Sequence, residues 1–160
     1  LTLLAALGMG TRHIGLGATV STSFGEPYHV ARMFASLDHL CGGRAAWNVV
    51  TSTQEKTARN FGKDLPAHDL RYEMATEFVD VVRGLWDTWD ADAIVADKAT
   101  GRFLDPTKVR ELNQGGRFYA VKGPLNIERP PQGHPIIIQA GGSPAGQELS
   151  ARSAERSAAR

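Results

Sequence analysis

The chain is 160 residues long, 42% hydrophobic and 22% charged, with a formal net charge of +1, the profile of one globular domain. So small a charge gives no electrostatic case for nucleic acid or an anionic membrane as partner, and no apolar run approaches the roughly 18 residues of a membrane-spanning helix. A single cysteine, Cys41, excludes an internal disulfide and suits a reducing compartment, so a cytoplasmic location is expected.

Leu1 to Leu7 predict a helix closed by Gly8 or Gly10, without the basic region of a signal peptide. A strand follows, with Ile14, Leu16, Ala18 and Val20 as its apolar run, and Thr19, Ser21, Thr22 and Ser23 gather where it ends. Glu26 and Pro27 open a helix. Val30, Met33, Phe34, Leu37 and Leu40 recur along it at helical spacing and predict the face packed on a sheet. Gly42 and Gly43 stop it. Ala45 to Val50 then form a second strand, closed by Thr51 and Ser52. Strands this apolar fit a parallel sheet buried on both faces, and ligands of such folds collect at the carboxyl ends of the strands. Two hydroxyl-tipped strand ends therefore predict a polar ligand.

Thr53 to Ala67 is polar and punctuated by Gly62 and Pro66, which predicts a loop. A long helix is expected from about Asp69 to Trp89, with Leu70, Met74, Phe78, Val81 and Leu85 as its buried stripe. His68 and Tyr72 lie four residues apart and nearly opposite that stripe. Ala91 to about Arg129 interrupts the alternation as an insertion of about 35 residues, too long for an ordinary connection and often lid-like where it occurs. Within it, Arg117 to Val121 reads as a short strand before the turn at Gly123. Ile136 to Gln139 makes a third buried strand, ending in Ala140-Gly141-Gly142-Ser143-Pro144 before another helix. The chain has no initiator methionine and its last residues, SARSAERSAAR, lose apolar periodicity, so it reads as a piece of a larger protein.

Several residues have chemistry to offer. In QAGGSPAG, two glycines permit close backbone approach, Ser143 stands at a natural N-cap and Pro144 at the first helical position, an arrangement suited to phosphate. A tight turn with a serine cap explains the segment equally well, and neither GxGxxG nor a P-loop lysine is present. His68 and Tyr72 have the reach for a phosphate or a flavin edge, although a surface pair is the simpler account of them alone. Asn48 is an amide inside an apolar strand, where bonding to the backbone is as ordinary as contacting a ring. Trp47 is expected in the core. The five histidines show no metal spacing, and WDADAIVADKATG has its glycine and glutamate misplaced for a calcium loop. No GxSxG elbow supports serine hydrolysis. Arg152, Arg156 and Arg160 read as a solvated helix face.

Taken together, GLGATVSTSFGEPYHVARMFASLDHLCGGRAAWNVVTS, NFG, H-x-x-R-Y with EFVDVVRGLWDTW, and GPLNIERPPQGHPIIIQAGGS resemble the nitrilotriacetate monooxygenase type of flavin-dependent monooxygenase, within the bacterial-luciferase-like superfamily. The resemblance runs from Leu1 to about Glu155. It implies an α/β chain forming part of a (β/α)8 TIM barrel, with about three central strands, their helices and one insertion, and makes residues 1–160 a partial luciferase-like monooxygenase domain. It implies reduced FMN (FMNH2) as cofactor, delivered by a separate NAD(P)H:flavin reductase, and oxygenation of a small organic substrate by O2 through a C4a-(hydro)peroxyflavin, in a homo-oligomeric parent. By position, Thr19 resembles a flavin-contacting residue, His68 and Tyr72 the helix pair near the flavin phosphate, and Ser143 the phosphate-holding serine. Asn48 and Ser52 are candidates near the ring or ribityl chain, and no catalytic side chain is assigned, because the flavin carries the hard step. Cys41 stands where such proteins usually have serine, and a mild packing change is expected. Two rivals stay open: a deazaflavin-dependent hydride-transfer enzyme of the same superfamily, and a truncated chain without catalysis, since three strands cannot close an eight-stranded barrel.

Overall fold

The computed structural model describes residues 1–153 and the backbone of 156–157. Helix α1 (Thr2–Gly10) leads to strand β1 (Leu16–Ser21), helix α2 (Pro27–Cys41) and strand β2 (Ala45–Val50). Helices α3 (Glu55–Asn60) and α4 (His68–Trp86) follow, then two hairpins, β3 (Ile94–Asp97) with β4 (Arg102–Leu104) and β5 (Gln114–Gly115) with β6 (Ala120–Val121). Strand β7 (Ile136–Gln139), helix α5 (Pro144–Ser153) and a two-residue strand β8 (Arg156–Ser157) complete the described chain.

The main sheet has the order β1-β2-β7-β8, and every pair in it is parallel. Strands that neighbour one another in chain order, each followed by helix, wind in one direction only. That is the course of a (β/α)8 barrel wall, here an open arc of three full strands and one short one. Helices α2, α4 and α5 pack on one face, where Ala18, Trp47, Val49 and Ile137 join Phe34, Phe78, Val82, Trp86 and Leu149 in one core. Trp47 is fully buried between the rings of Phe34 and Phe78, at 5.8 and 6.0 Å, and its indole N–H donates to the Val20 carbonyl. The opposite face carries no such cover: Gly17 and Thr19 are exposed.

This one-sided burial corrects the expectation of strands covered on both faces. Ile14, Leu16, Ala18 and Val20 share one parity and so report one face only. Ile14 lies outside β1 and is 60% exposed. In α2 the buried set is Pro27, Val30, Ala31, Phe34, Ala35, Leu37, Asp38 and Cys41, whereas Met33 and Leu40 are exposed beside α1. Gly42 and Gly43 end the helix as expected, both with left-handed backbone, and the Gly43 N–H returns to the Asp38 carbonyl. Cys41 is buried, its sulfur accepting from the Arg44 N–H.

Two side chains that periodicity could not single out fasten the arc. Arg44 donates to the carbonyls of Gly8, Thr11, Ile14 and Cys41 and to the Thr11 hydroxyl, closing the end of α1 against β2. Asp38 is wholly buried and accepts from the Ala45 N–H at 3.2 Å, the Gln132 N–H at 3.0 Å and the Gln132 side-chain amide at 2.6 Å.

The segment expected as a loop from Thr53 to Ala67 contains α3. It is six residues long, five of them polar, and buries only Ala58, so no apolar period betrays it. Helix α4 starts one residue before the expected Asp69 and stops at Trp86 rather than Trp89. The insertion is real, but Arg117 to Val121 contributes a strand only at Ala120–Val121. The Glu77 carboxyl holds this hairpin tip by accepting from the N–H groups of Arg117, Phe118 and Tyr119 at 2.8 to 3.2 Å. Arg152 is exposed on α5 and pairs with Asp80, but the helix ends at Ser153 and Arg156 belongs to β8, so the three arginines do not share a helix face. Glu155 and Arg160 lie outside the described residues. No described helix is long and apolar enough to cross a membrane.

Candidate functional site

The carboxyl ends of β1, β2 and β7 lie side by side, and the register sets their residues in rows. Thr19 pairs with Asn48, and Asn48 with Ile138. On the open face the Asn48 side-chain N–H2 donates to the Thr19 hydroxyl at 3.0 Å. The other amide atom, Asn48 Oδ1, is buried with no partner among the described residues. A buried acceptor left unpaired costs about 1–3 kcal/mol, so this oxygen is suited to receive a ligand's N–H or O–H. One row further on, the hydroxyls of Ser21 and Ser52 bond to each other at 2.8 Å, and Ser23 ties in by donating its N–H to Ser21 Oγ and accepting the Ser52 N–H.

Beside these rows stands the turn from β7 into α5. Ser143 caps the helix: its hydroxyl accepts from the Gly146 N–H at 3.1 Å and its carbonyl from the Gln147 N–H. Gln139 is buried and accepts the Gly141 N–H at 2.9 Å. A Cβ on Gly141 would sit 2.5 Å from Gln139 Nε2, 3.0 Å from Gly146 Cα and 3.2 Å from the Tyr72 hydroxyl. Gly141 thus lets Tyr72 and the first turn of α5 close on the strand end. Gly142 is different, since a Cβ there would meet nothing within 4 Å. The turn leaves open space above Gly142, next to a helix N-terminus that favours anions.

Tyr72 is half-buried and packs against the main core, which corrects its expected place opposite the buried stripe of α4. Its direction matches that of Ala75, Val79 and Trp86, all buried; Leu70 and Met74 are only partly buried. His68 is exposed one turn earlier, its ring 5.0 Å from that of Tyr72 and its Nδ1 2.8 Å from Asp69. The candidates therefore form two groups on one edge of the sheet, Thr19, Asn48 and Ser52 in one and His68, Tyr72 and Ser143 in the other. No hydrogen bond joins the two groups among the described residues. Arg71, which the sequence did not mark, donates to the Pro66 carbonyl and fixes the approach to α4.

A separate cavity of about 540 Å³ lies between α4 and α5 and shares Tyr72 with the site. Asp69, Glu73, Glu77, Asp80 and Glu148 line it against one cation, Arg152, which is paired with Asp80; the acidic excess disfavours phosphate, so an anion is better served on the Gly142 side. Near the insertion, burial pushes the Tyr119 phenol up to about 12, with the Glu26 and Glu77 carboxyls adding to it. Tyr119 is accordingly neutral at physiological pH, and its ring meets Phe78 edge-on at 5.3 Å.

The family model of luciferase-like monooxygenases matches residues 1–157. N-acetyl-S-(2-succino)cysteine monooxygenase of Bacillus subtilis (strain 168) is 56% identical over 155 residues, covering 96% of this chain and 35% of that protein. Nitrilotriacetate monooxygenase component A of Aminobacter aminovorans is 53% identical over 155 residues, 96% of this chain and 34% of its own length. Among solved structures, a riboflavin lyase with modified FMN and substrate riboflavin superposes with a TM-score of 0.93 at 42% identity, covering 98% of this chain and 35% of that one. The chain spans about a third of the length of each.

Proposed function

The chain belongs to the luciferase-like monooxygenase family, and on that premise we propose that it supplies part of the reduced-FMN site of an enzyme that oxygenates a small organic substrate with O2. What carries the reading is the convergence of Ser143, Tyr72 and the open Gly142 turn beside the Thr19–Asn48 pair, with Asn48 Oδ1 buried and unpaired. These groups fit FMN: hydroxyls and a helix N-terminus for its phosphate, an amide and hydroxyls for its ring and ribityl chain.

Reduced FMN, when bound, supplies the two electrons with which O2 is divided, one oxygen atom entering the substrate and the other leaving as water. The chain's own residues bind and orient. Ser143 and Tyr72 hold the phosphate, with His68 at its outer side. Thr19 and Asn48 fix the ring by hydrogen bonds, and Ser52 reaches the ribityl chain. The insertion anchored by Glu77 helps exclude water. A separate NAD(P)H:flavin reductase delivers the reduced cofactor.

The test is an anaerobic thermal-shift titration of the protein expressed at the length of its relatives, with FMNH2 and with a reduced deazaflavin in parallel. A ligand at about 100 times its Kd stabilises the native state by about 2.7 kcal/mol. FMNH2 should raise the Tm accordingly and the deazaflavin should not. A rise with the deazaflavin alone, or with neither, would sink the proposal.

A further inference from the structure

A small recess at the outer end of β1 and β2 shares only Ser52 with the flavin reading. Val20, Ser21, Phe24, Ser52, Thr57 and Phe61 line about 290 Å³. Phe24 and Phe61 stack with ring centroids 5.0 Å apart and planes 13° from parallel, and Phe61, at the end of α3, is 56% exposed. The recess adjoins the Ser21–Ser52 row, one step beyond Thr19 and Asn48. In the sheet order it lies on the β1 side of β2, whereas the Gly141–Ser143 turn lies on the β7 side. A cofactor whose phosphate rests on that turn leaves this flank for the molecule it oxidises.

The walls state what kind of molecule fits. No lining residue is charged. Of the charges close by along the chain, Glu26 faces Lys63 at 3.9 Å and Glu55 pairs with Arg59 at 3.2 Å, while Lys56 is exposed and is not part of the lining. The two serine hydroxyls of the floor bond to each other, and that of Ser21 also accepts the Ser23 N–H. A carboxylate or ammonium entering here would lose hydration and gain no counter-charge from the lining, while an alkyl, thioether or aryl group would bury apolar surface against two rings. Resting on the monooxygenase reading, we propose that this recess receives the uncharged, apolar part of the organic substrate, with Phe24 and Phe61 as its specificity-determining walls.

The experiment compares methyl phenyl sulfide, benzoate and benzylamine by ligand-observed NMR on the protein at the length of its relatives, with FMN affinity measured alongside. Methyl phenyl sulfide should bind at least about tenfold more tightly than either charged probe. Phe61→Ala should weaken it about fivefold or more, and Phe61→Leu should hold it within about twofold, because an apolar wall remains. Neither substitution should move FMN affinity. Equal binding of charged and neutral probes, or an unchanged sulfide affinity in Phe61→Ala, would overturn the proposal. So would a matching loss of FMN affinity, which would give the recess to the flavin. Probe preference intact in a protein that fails to bind FMN would remove the monooxygenase reading and leave the recess standing as an apolar site.

Discussion

Alanine at Gly142 should leave stability unchanged and weaken FMN binding about tenfold or more, whereas alanine at Gly141 should damage both. The contrast follows from what each new methyl group meets. At Gly141 it overlaps the buried Gln139 amide and crowds Gly146 and Tyr72. Gln139 must then release the Gly141 N–H or Tyr72 must swing away, and overpacking of this kind costs about 1–3 kcal/mol. At Gly142 the methyl projects into open space, and the backbone there is not among the left-handed glycines, so the folded chain has no reason to object. A ligand resting on that turn would object. Thermal denaturation and FMN titration of the two variants separate the cases, and an unchanged FMN affinity in Gly142→Ala would reduce the segment to a capped turn.

The second large effect concerns Asp38. Its replacement by alanine strands the Ala45 and Gln132 N–H groups in the interior. Each unpaired buried donor costs about 1–3 kcal/mol, so a total of about 3–5 kcal/mol is expected, the Gln132 side chain being able to recover part of its own bond. With a slope of about 1–3 kcal/mol per molar urea, the unfolding midpoint should fall by roughly 2 M. Asp38→Asn keeps one acceptor and should fall between the two. A midpoint for Asp38→Ala within a few tenths molar of the parent would show that β2 and the end of the insertion do not depend on this carboxyl group.

The alternation of strand and helix, the insertion, and the cap at Ser143 were readable in the sequence because each leaves a local mark: apolar runs, a break in alternation, and a glycine turn before proline. Pairings across the fold left none. The Thr19–Asn48 bond depends on strand register, and Asp38 and Arg44 work through partners up to 94 and 36 residues away. Helix α3 hid because five polar residues around a single alanine carry no period. The stripe through Phe78 and Leu85 puts Tyr72 on the wrong side because it is only part of a wide buried face that also holds Ala75, Val79 and Trp86. Among the site candidates, strand-end position pointed to hydroxyls, but only the folded arrangement separates the Thr19 group from the Ser143 group and leaves Asn48 Oδ1 unpaired.

Where a flavin sits is the most direct test of the proposed site. A crystal structure of the protein at the length of its relatives, grown with FMN, should place the phosphate over Gly142 within hydrogen-bond reach of Ser143 Oγ and the Tyr72 hydroxyl, with the ring or ribityl chain donating to Asn48 Oδ1. A flavin bound with its phosphate away from that turn and with Asn48 still unpaired would contradict it.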